Sequence, residues 1–467
     1  MPRLNRREFL KTTSAAAGTV FAHFPGQAYS QNVGVAAPFG DYKALVCIFM
    51  FGGNDSYNMV IPRSDAEYAV YLDSRQNLAI AQDQLLPVNP LTFDDTLYGL
   101  HPALGGIKTL FDEGRAAFVN NVGPLVMPTT KDDYFSGTAV LPPQLFSHND
   151  QQAQWHTLKG PAASDTGWAG RIADLIRTNV ANQQLATNLS LFGNSLFQSA
   201  DETVAYVMGS SGPVPFTSFA SPEDLDDPNL TEQQRTLIQL LIEQRNAFER
   251  NINAPYDSVY ERGFAEVQQR ALQAVDLVEN ALAQAPVLAT EFPQSQLGTQ
   301  LQTVARMIAV YDVMEMERQI FFVATGGFDT HDDQETLQPG LLGDVSDAIL
   351  AFYRALEELM VQDRVTTFTQ SDFARTLSSN GDGTDHAWGG IQMVVGHPVL
   401  GQEMYGAYPD LALGSNDDIG GGRMIPTTSA DQYAATLARW FGVDEVDIPA
   451  VAPNIGNFAV QDLGFLV

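Results

Sequence analysis

The sequence predicts an α/β fold built on an open, mostly parallel sheet, and three observations carry that expectation. Residues 44–51 and 320–323 are apolar on consecutive positions, as central strands covered on both faces are, and residues 365–369 read as a further strand. Helical stripes with three- and four-residue steps lie between such runs, the order that produces crossover connections. Each run also exits into glycine or polar residues: Gly52-Gly53-Asn54-Asp55, then Gly326-Gly327-Phe328-Asp329-Thr330-His331, then Gln370-Ser371-Asp372. Ligands of open sheets bind beyond the carboxyl ends of the strands, so Asp55, Asp329, His331 and Asp372 are expected to share one polar site.

In chain order, Asn5-Arg6-Arg7-Glu8-Phe9-Leu10-Lys11 is a twin-arginine motif, followed by a modestly apolar stretch and by Ala28-Tyr29-Ser30. Residues 1–30 therefore read as a twin-arginine signal peptide, with the twin-arginine export machinery as partner and the periplasm or extracellular space as destination. Residues 31–467 read as a single domain. No run of about 18 apolar residues occurs, so no stable membrane insertion is expected after cleavage. The formal charge is −30, and losing Arg3, Arg6, Arg7, Lys11 and Glu8, a net +3, takes it to −33. Nucleic acid and anionic membranes reward clusters of Lys and Arg, so this balance argues against both as partners. The single cysteine, Cys47, rules out an intramolecular disulfide and a thiolate zinc site. Inside the first strand it reads as a buried, inert thiol.

His101-Pro102 is expected to open a helix through Leu104, Ile107, Leu110 and Phe111, and residues 116–122 to form a second strand paired in parallel with the first. Residues 123–155, rich in Pro, Thr and Asp, read as a long surface loop. Within it Phe146-Ser147-His148-Asn149-Asp150 gathers a hydroxyl, an imidazole and a carboxylate. A helix over 168–176 and a strand over 187–192 follow. Thr231 and Gln234 form a capping box that opens a helical block over 231–317. A helix striped by Val345, Ile349, Phe352 and Leu356 then leads to the strand ending at Asp372. After it come a loop with Gly383-Thr384-Asp385-His386, a strand over 391–395 and a helix over 430–441. His156 and His397 read as structural residues and His101 as a helix-entry residue.

Asp55, Asp329, His331, Asp372 and His386 supply carboxylate oxygens and neutral imidazoles, the donor types that hold divalent cations without thiolate. One or two such ions clamp a phosphoryl or sulfuryl oxygen and activate a hydroxyl nucleophile. Arg375 is placed to bind a substrate anion. Asp385 is placed to orient a neighbouring ligand, while Asn54 and His148 belong to the surrounding loops. Taken alone, Asn54 and Asp55 fit an Asx-turn equally well.

The motifs GGNDSYNMVIP, GLHPAL, FSHNDQQ, GGFDTH, SDFART, GTDHAWGG, RMIPTTSADQYAATLARWFG and NIGNFAVQDLGFL occur in that order along nearly the whole of residues 31–467. Together they resemble the exported bacterial family labelled domain of unknown function 1501, which is similar to the alkaline phosphatase and sulfatase superfamily. The resemblance implies a three-layer α/β/α sandwich, alkaline-phosphatase-like, with the helical block as an insertion. It implies that Asp55 is the first-strand metal aspartate, that Asp329 and His331 are an Asp and His metal pair, that His386 is the last histidine ligand, and that Ser147 stands for the nucleophile. Asp372 matches the aspartate of a later Asp-His pair, in which Phe373 replaces the imidazole. One function expected from this is metal-dependent hydrolysis of phosphate or sulfate esters, with a small anionic ester as substrate. The other, favoured by Phe373, is an exported binding or assembly protein that keeps the fold without catalysis. A metal-free serine hydrolase is disfavoured by the lack of a G-x-S-x-G elbow.

Overall fold

A computed structural model describes residues 38–92, 96–162, 164–214 and 219–467; the twin-arginine segment and residues 31–37 lie outside them. Strand β1 (Lys43–Met50) shows why its apolar residues are consecutive. Ala44, Val46, Ile48 and Met50 enter one hydrophobic cluster, and Leu45, Cys47 and Phe49 enter another on the opposite face. Short strands β2 (Val60–Pro62), β3 (Leu86–Val88) and β4 (Tyr98–Leu100) form a separate antiparallel sheet in a stretch where no strand was expected. At three residues each they carry too little periodicity to read.

The main sheet adds β5 (Ala116–Gly123), β6 (Asn188–Ser190), β7 (Tyr206–Val207), β8 (Arg318–Thr325), β9 (Val365–Ser371), β10 (Gly390–Gly396), β11 (Met404–Tyr405) and β12 (Thr428–Ser429). Its order is β11-β5-β10-β9-β1-β8-β6-β7, with β12 also on β5. All run with β1 except β10. β1 and β5 therefore share a direction but do not pair, because β9 and β10 lie between them. Hydrophobic pattern specifies that a strand is buried, not which neighbour it takes.

The helices are α1 (Asp65–Arg75), α2 (Gly105–Asp112), α3 (Lys131–Ser136), α4 (His148–Thr157), α5 (Trp168–Ile176), α6 (Glu232–Ile252), α7 (Val259–Leu282), α8 (Gln296–Ala309), α9 (Gln334–Glu358), α10 (Ala430–Phe441) and α11 (Ile448–Val451). Ile107 of α2, Leu301 of α8 and Ile349 of α9 pack on one face of the sheet, and Ile172 of α5 and Leu437 of α10 on the other. The architecture is a three-layer α/β/α sandwich. Among the described residues no helix is long and apolar enough to cross a membrane.

Two further expectations need correction. The helix after His101-Pro102 begins only at Gly105, because the His101 carbonyl accepts the Leu104 N–H and His101 Nδ1 accepts the Ala103 N–H, making a turn first. The supposed loop over 123–155 contains α3 and α4. α4 reads His-Asn-Asp-Gln-Gln-Ala-Gln-Trp-His-Thr, with no apolar stripe to announce it. Cys47 is buried, and burial holds its thiol well above the ordinary value. His156 is likewise buried, beside Phe49, and burial lowers its pKa to about 3, which makes it a neutral core residue.

Candidate metal centre

Adjacent parallel strands bring their carboxyl ends to one edge, and the central strands β9, β1 and β8 deliver Asp372, Asp55 and Asp329 there. The loops approach each other closely enough to require glycine. Gly52 has φ +114°, and a Cβ on it would stand 2.3 Å from the Asp329 nitrogen. The continuing ladder, with the Phe328 N–H donating to the Phe51 carbonyl at 3.2 Å, pins these two loops together. A Cβ on Gly383 would stand 2.2 Å from the His331 carbonyl oxygen, so the loop bearing His386 is equally close.

Asp329 is the focus. His331 Nε2 lies 3.1 Å and His386 Nε2 3.2 Å from its Oδ1, and His148 Nε2 lies 3.3 Å from its Oδ2. The two nitrogens of His331 and His386 are 2.9 Å apart. One donor atom each from His148, Asp329 and His386 falls within 4.8 Å of the others. Each imidazole faces an acceptor through Nδ1: His148 toward Asp372 Oδ2 at 2.6 Å, His331 toward Asp385 Oδ1 at 3.3 Å, and His386 toward the Phe146 carbonyl at 2.7 Å. A carbonyl accepts and cannot donate, so His386 carries its proton on Nδ1 and presents a lone pair at Nε2. Phe146 holds φ +72° as it offers that carbonyl, a conformation bulky residues rarely adopt.

The environment separates His148 from His386. The hydrogen bond to Asp372 raises the His148 pKa against the opposing effect of burial, helped by the charges of Asp372 and Asp329. Burial lowers that of His386. Partial burial pushes Asp329 upward, but the Arg375 hydrogen bond and charge, with His148 and His331, hold it below the usual carboxylate value. α4 explains how His148 arrives: His148 and Gln152, four residues apart on one helix face, both reach Asp372 Oδ2, Gln152 at 2.9 Å.

Other residues fall differently. Arg375 is fully buried and gives its guanidinium to Asp329 Oδ1 at 2.7 Å, the Gly52 carbonyl at 3.2 Å, and the Thr384 hydroxyl and carbonyl. That makes it an anchor for Asp329. Asp55 is 1% exposed and ion-paired with Arg75 of α1, itself 0% exposed. Gln334 and Gln338 of α9, again four residues apart, donate to its Oδ2 and to its backbone carbonyl. The Asn54 backbone N–H donates to the Ser371 hydroxyl oxygen, and its side-chain amide lies 3.7 Å from the Met59 sulfur. The Ser147 hydroxyl donates to Asp150 at 2.6 Å, within its own helix turn. Phe373, where an imidazole was expected, packs against the rings of His148 at 4.8 Å and His386 at 4.5 Å. The missing third imidazole thus comes from α4, across 224 residues of sequence. Arg75 carried no sequence signal; for α4 the clue was the four-residue spacing of His148 and Gln152.

These donors suit a divalent ion. Ligands at about 2.0–2.2 Å from one ion stand roughly 3.0–3.5 Å from each other, and the edges among His331, His386 and Asp329 measure 2.9, 3.1 and 3.2 Å. Two Nε2 lone pairs at 2.9 Å repel unless a proton or a cation lies between them. Asp329, Asp372 and Asp385 against Arg375 leave two negative charges around the three imidazoles. Arg423, whose Nε donates to the His386 carbonyl at 2.9 Å, reduces that to one at the rim.

The matching family pattern covers residues 42–448, that of a protein of unknown function, DUF1501. The chain belongs to this family. No curated protein matches it. Similar solved structures include Ps i-CgsB in complex with k-i-k-neocarrahexaose, 11% identical over 89% of this chain and 77% of that one, with a TM-score of 0.31. Another is a Bacteroides thetaiotaomicron protein, BT33494S-sulf, described with the metabolism of multiple glycosaminoglycans. It is 10% identical over 88% of this chain and 74% of that one, with a TM-score of 0.32. TM-scores this low carry no argument, and the sandwich stands on its own strand order and packing.

Proposed function

We propose that this DUF1501 protein is an exported, divalent-metal-dependent hydrolase of phosphate or sulfate esters, with residues 1–30 as its twin-arginine signal. The observation that carries the reading is the convergence of three imidazole Nε2 atoms on the Asp329 carboxylate, each ring faced through Nδ1 by an acceptor. His148, His331, His386 and Asp329 would hold the ion. A divalent ion there supplies Lewis acidity toward an ester oxygen and makes a bound water more acidic. Asp372, Asp385 and the Phe146 carbonyl fix the ring orientations, and Arg375 fixes Asp329. Arg423, half-buried beside His386, is a guanidinium that could meet an anionic substrate there.

The test is metal analysis of the mature protein together with a panel of phosphate and sulfate esters. Wild type should bind divalent metal and turn over at least one ester class, and His331→Ala with His386→Ala should lose both. A folded wild type that binds no metal sinks the reading. One observation favours the alternative, a non-catalytic exported binding or assembly protein: the Ser147 hydroxyl is bonded to Asp150 and to no imidazole. Metal binding without turnover of any ester would select that alternative.

A further inference from the structure

Resting on the metal-centre reading above, we propose that this edge of the sheet takes one divalent ion and no second, because Arg75 occupies the electrostatic place of a second cation at Asp55. The two carboxylates at the ends of β1 and β8 face opposite situations. Around Asp329 the fixed charges leave a negative balance and three imidazoles turn toward the carboxylate. Around Asp55 the balance is zero. The Arg75 guanidinium pairs with Oδ2, both side chains are buried, and among the described residues no imidazole is hydrogen-bonded to the carboxylate.

Arg75 is itself held in place, donating from Nη1 to the Thr376 carbonyl at 2.8 Å and the Leu377 carbonyl at 3.3 Å, so it cannot swing away to make room. A dication held at Asp55 would lie beside that fixed guanidinium, and like charges so close repel strongly even at an effective dielectric near 20. Guanidinium does not deprotonate to relieve it. Asp55 Oδ1, with Asn54 Oδ1 beside it and Asp372 Oδ1 at the end of β9, is buried and without a hydrogen-bond partner among the described residues, and through such oxygens a second ion could still be held, so the ion count decides the matter.

The pair also communicates with the centre. Gln334 donates to Asp55 Oδ2 and accepts from the Thr384 hydroxyl at 2.6 Å, and that hydroxyl accepts from Arg375 Nε at 3.2 Å. Arg375 in turn holds Asp329. Asp55 therefore acts as a positioning residue for the single-ion site and not as a ligand.

The experiment loads full-length mature protein with Zn²⁺, and separately with Co²⁺, strips loosely held ions by gel filtration at 0.15 M salt, and counts what remains per chain. The expected result is one ion per chain and a Co²⁺ paramagnetic resonance spectrum of an isolated ion. The neutral double variant Asp55→Asn/Arg75→Gln should keep that count, and His331→Ala should weaken retention at least tenfold. Two tightly held ions, a spin-coupled Co²⁺ pair, or loss of an ion in the double variant overturns the proposal while leaving the metal-centre reading intact. No retained ion in wild type overturns both. The wild-type count and spectrum decide even if the double variant does not fold.

Discussion

The chain uses a Gly-Gly-x-Asp ending twice on neighbouring strands: Gly52-Gly53-Asn54-Asp55 after β1 and Gly326-Gly327-Phe328-Asp329 after β8. The outcomes are opposed. Asp55 is buried on the Arg75 guanidinium, whereas the Asp329 side chain is 44% exposed and faced by three imidazoles. The backbones diverge at the glycines. Gly52 and Gly53 both take positive φ, +114° and +88°, while in the second loop only Gly327 does, at +96°. Two left-handed residues turn the first aspartate inward, and one leaves the second at the surface. The shared Gly-Gly-x-Asp pattern at a strand end therefore sets where a carboxylate starts, and the backbone of the two endings differs in the dihedrals of their glycines.

The strongest way to break this comparison is to remove one partner of the inward pair. Arg75→Met leaves the Asp55 carboxylate buried without its cation and should cost about 3–5 kcal/mol of stability, measured as a shift in the urea midpoint at unchanged slope. Asp329→Asn should cost clearly less, since the amide oxygen still accepts from Arg375, yet it should abolish metal retention. Equal losses from the two substitutions would mean that both carboxylates are structural. Next in size is Gly52→Ala. The substituted Cβ would collide with the Asp329 backbone at a strained positive φ, for a loss of about 1–3 kcal/mol and a weakened metal affinity, read by thermal unfolding with and without Zn²⁺.

Much of this was legible beforehand because it follows from local pattern. Consecutive apolar residues marked β1 and β8 as central strands, and the polar exits of β1, β8 and β9 located the edge where Asp329, His331, Asp372 and His386 meet. What stayed hidden depends on long-range placement. α4 has no apolar periodicity, so His148 looked like a loop residue, and Phe373 looked like a lost ligand when it is the surface against which His148 packs. Arg75 sits at the end of α1 with nothing in Asp73-Ser74-Arg75-Gln76 to announce a partner 20 residues earlier. Asp55 was assigned to the metal on its strand-end position, a position it shares with Asp329 without sharing its surroundings.

A smaller effect sharpens the outward site. In metal-free protein the hydrogen bond to Asp372 raises His148 and burial lowers His386, so ring resonances followed by NMR should show His148 taking up its proton at higher pH than His386. For His148 the folded value lies above the unfolded one. Its contribution to stability is fully present below the ordinary imidazole value of about 6.5 and is lost as pH rises through the folded value. For His386 the sign reverses, and its protonation subtracts stability as pH falls below about 6.5. Asp372→Asn should lower the His148 value and leave His386 nearly unmoved. If His386 protonated first, the proton-bearing and lone-pair roles given to the two rings would be exchanged.

The smallest expected change is Ser147→Ala. Ser147 precedes α4, and its hydroxyl donates to Asp150 three residues on, without capping a backbone N–H. Losing it should cost no more than about 1 kcal/mol, the low end for an N-terminal helix residue. His148 is held by Asp372, Asp329 and the Phe373 ring, none of which depends on that hydroxyl, so metal retention should match wild type. This makes the variant informative about chemistry alone. If turnover disappears while the ion stays, the hydroxyl leaves Asp150 in the substrate complex and attacks the ester itself. If turnover persists, the nucleophile is a water activated at the Asp329 centre, and Ser147 serves only the start of the helix that delivers His148.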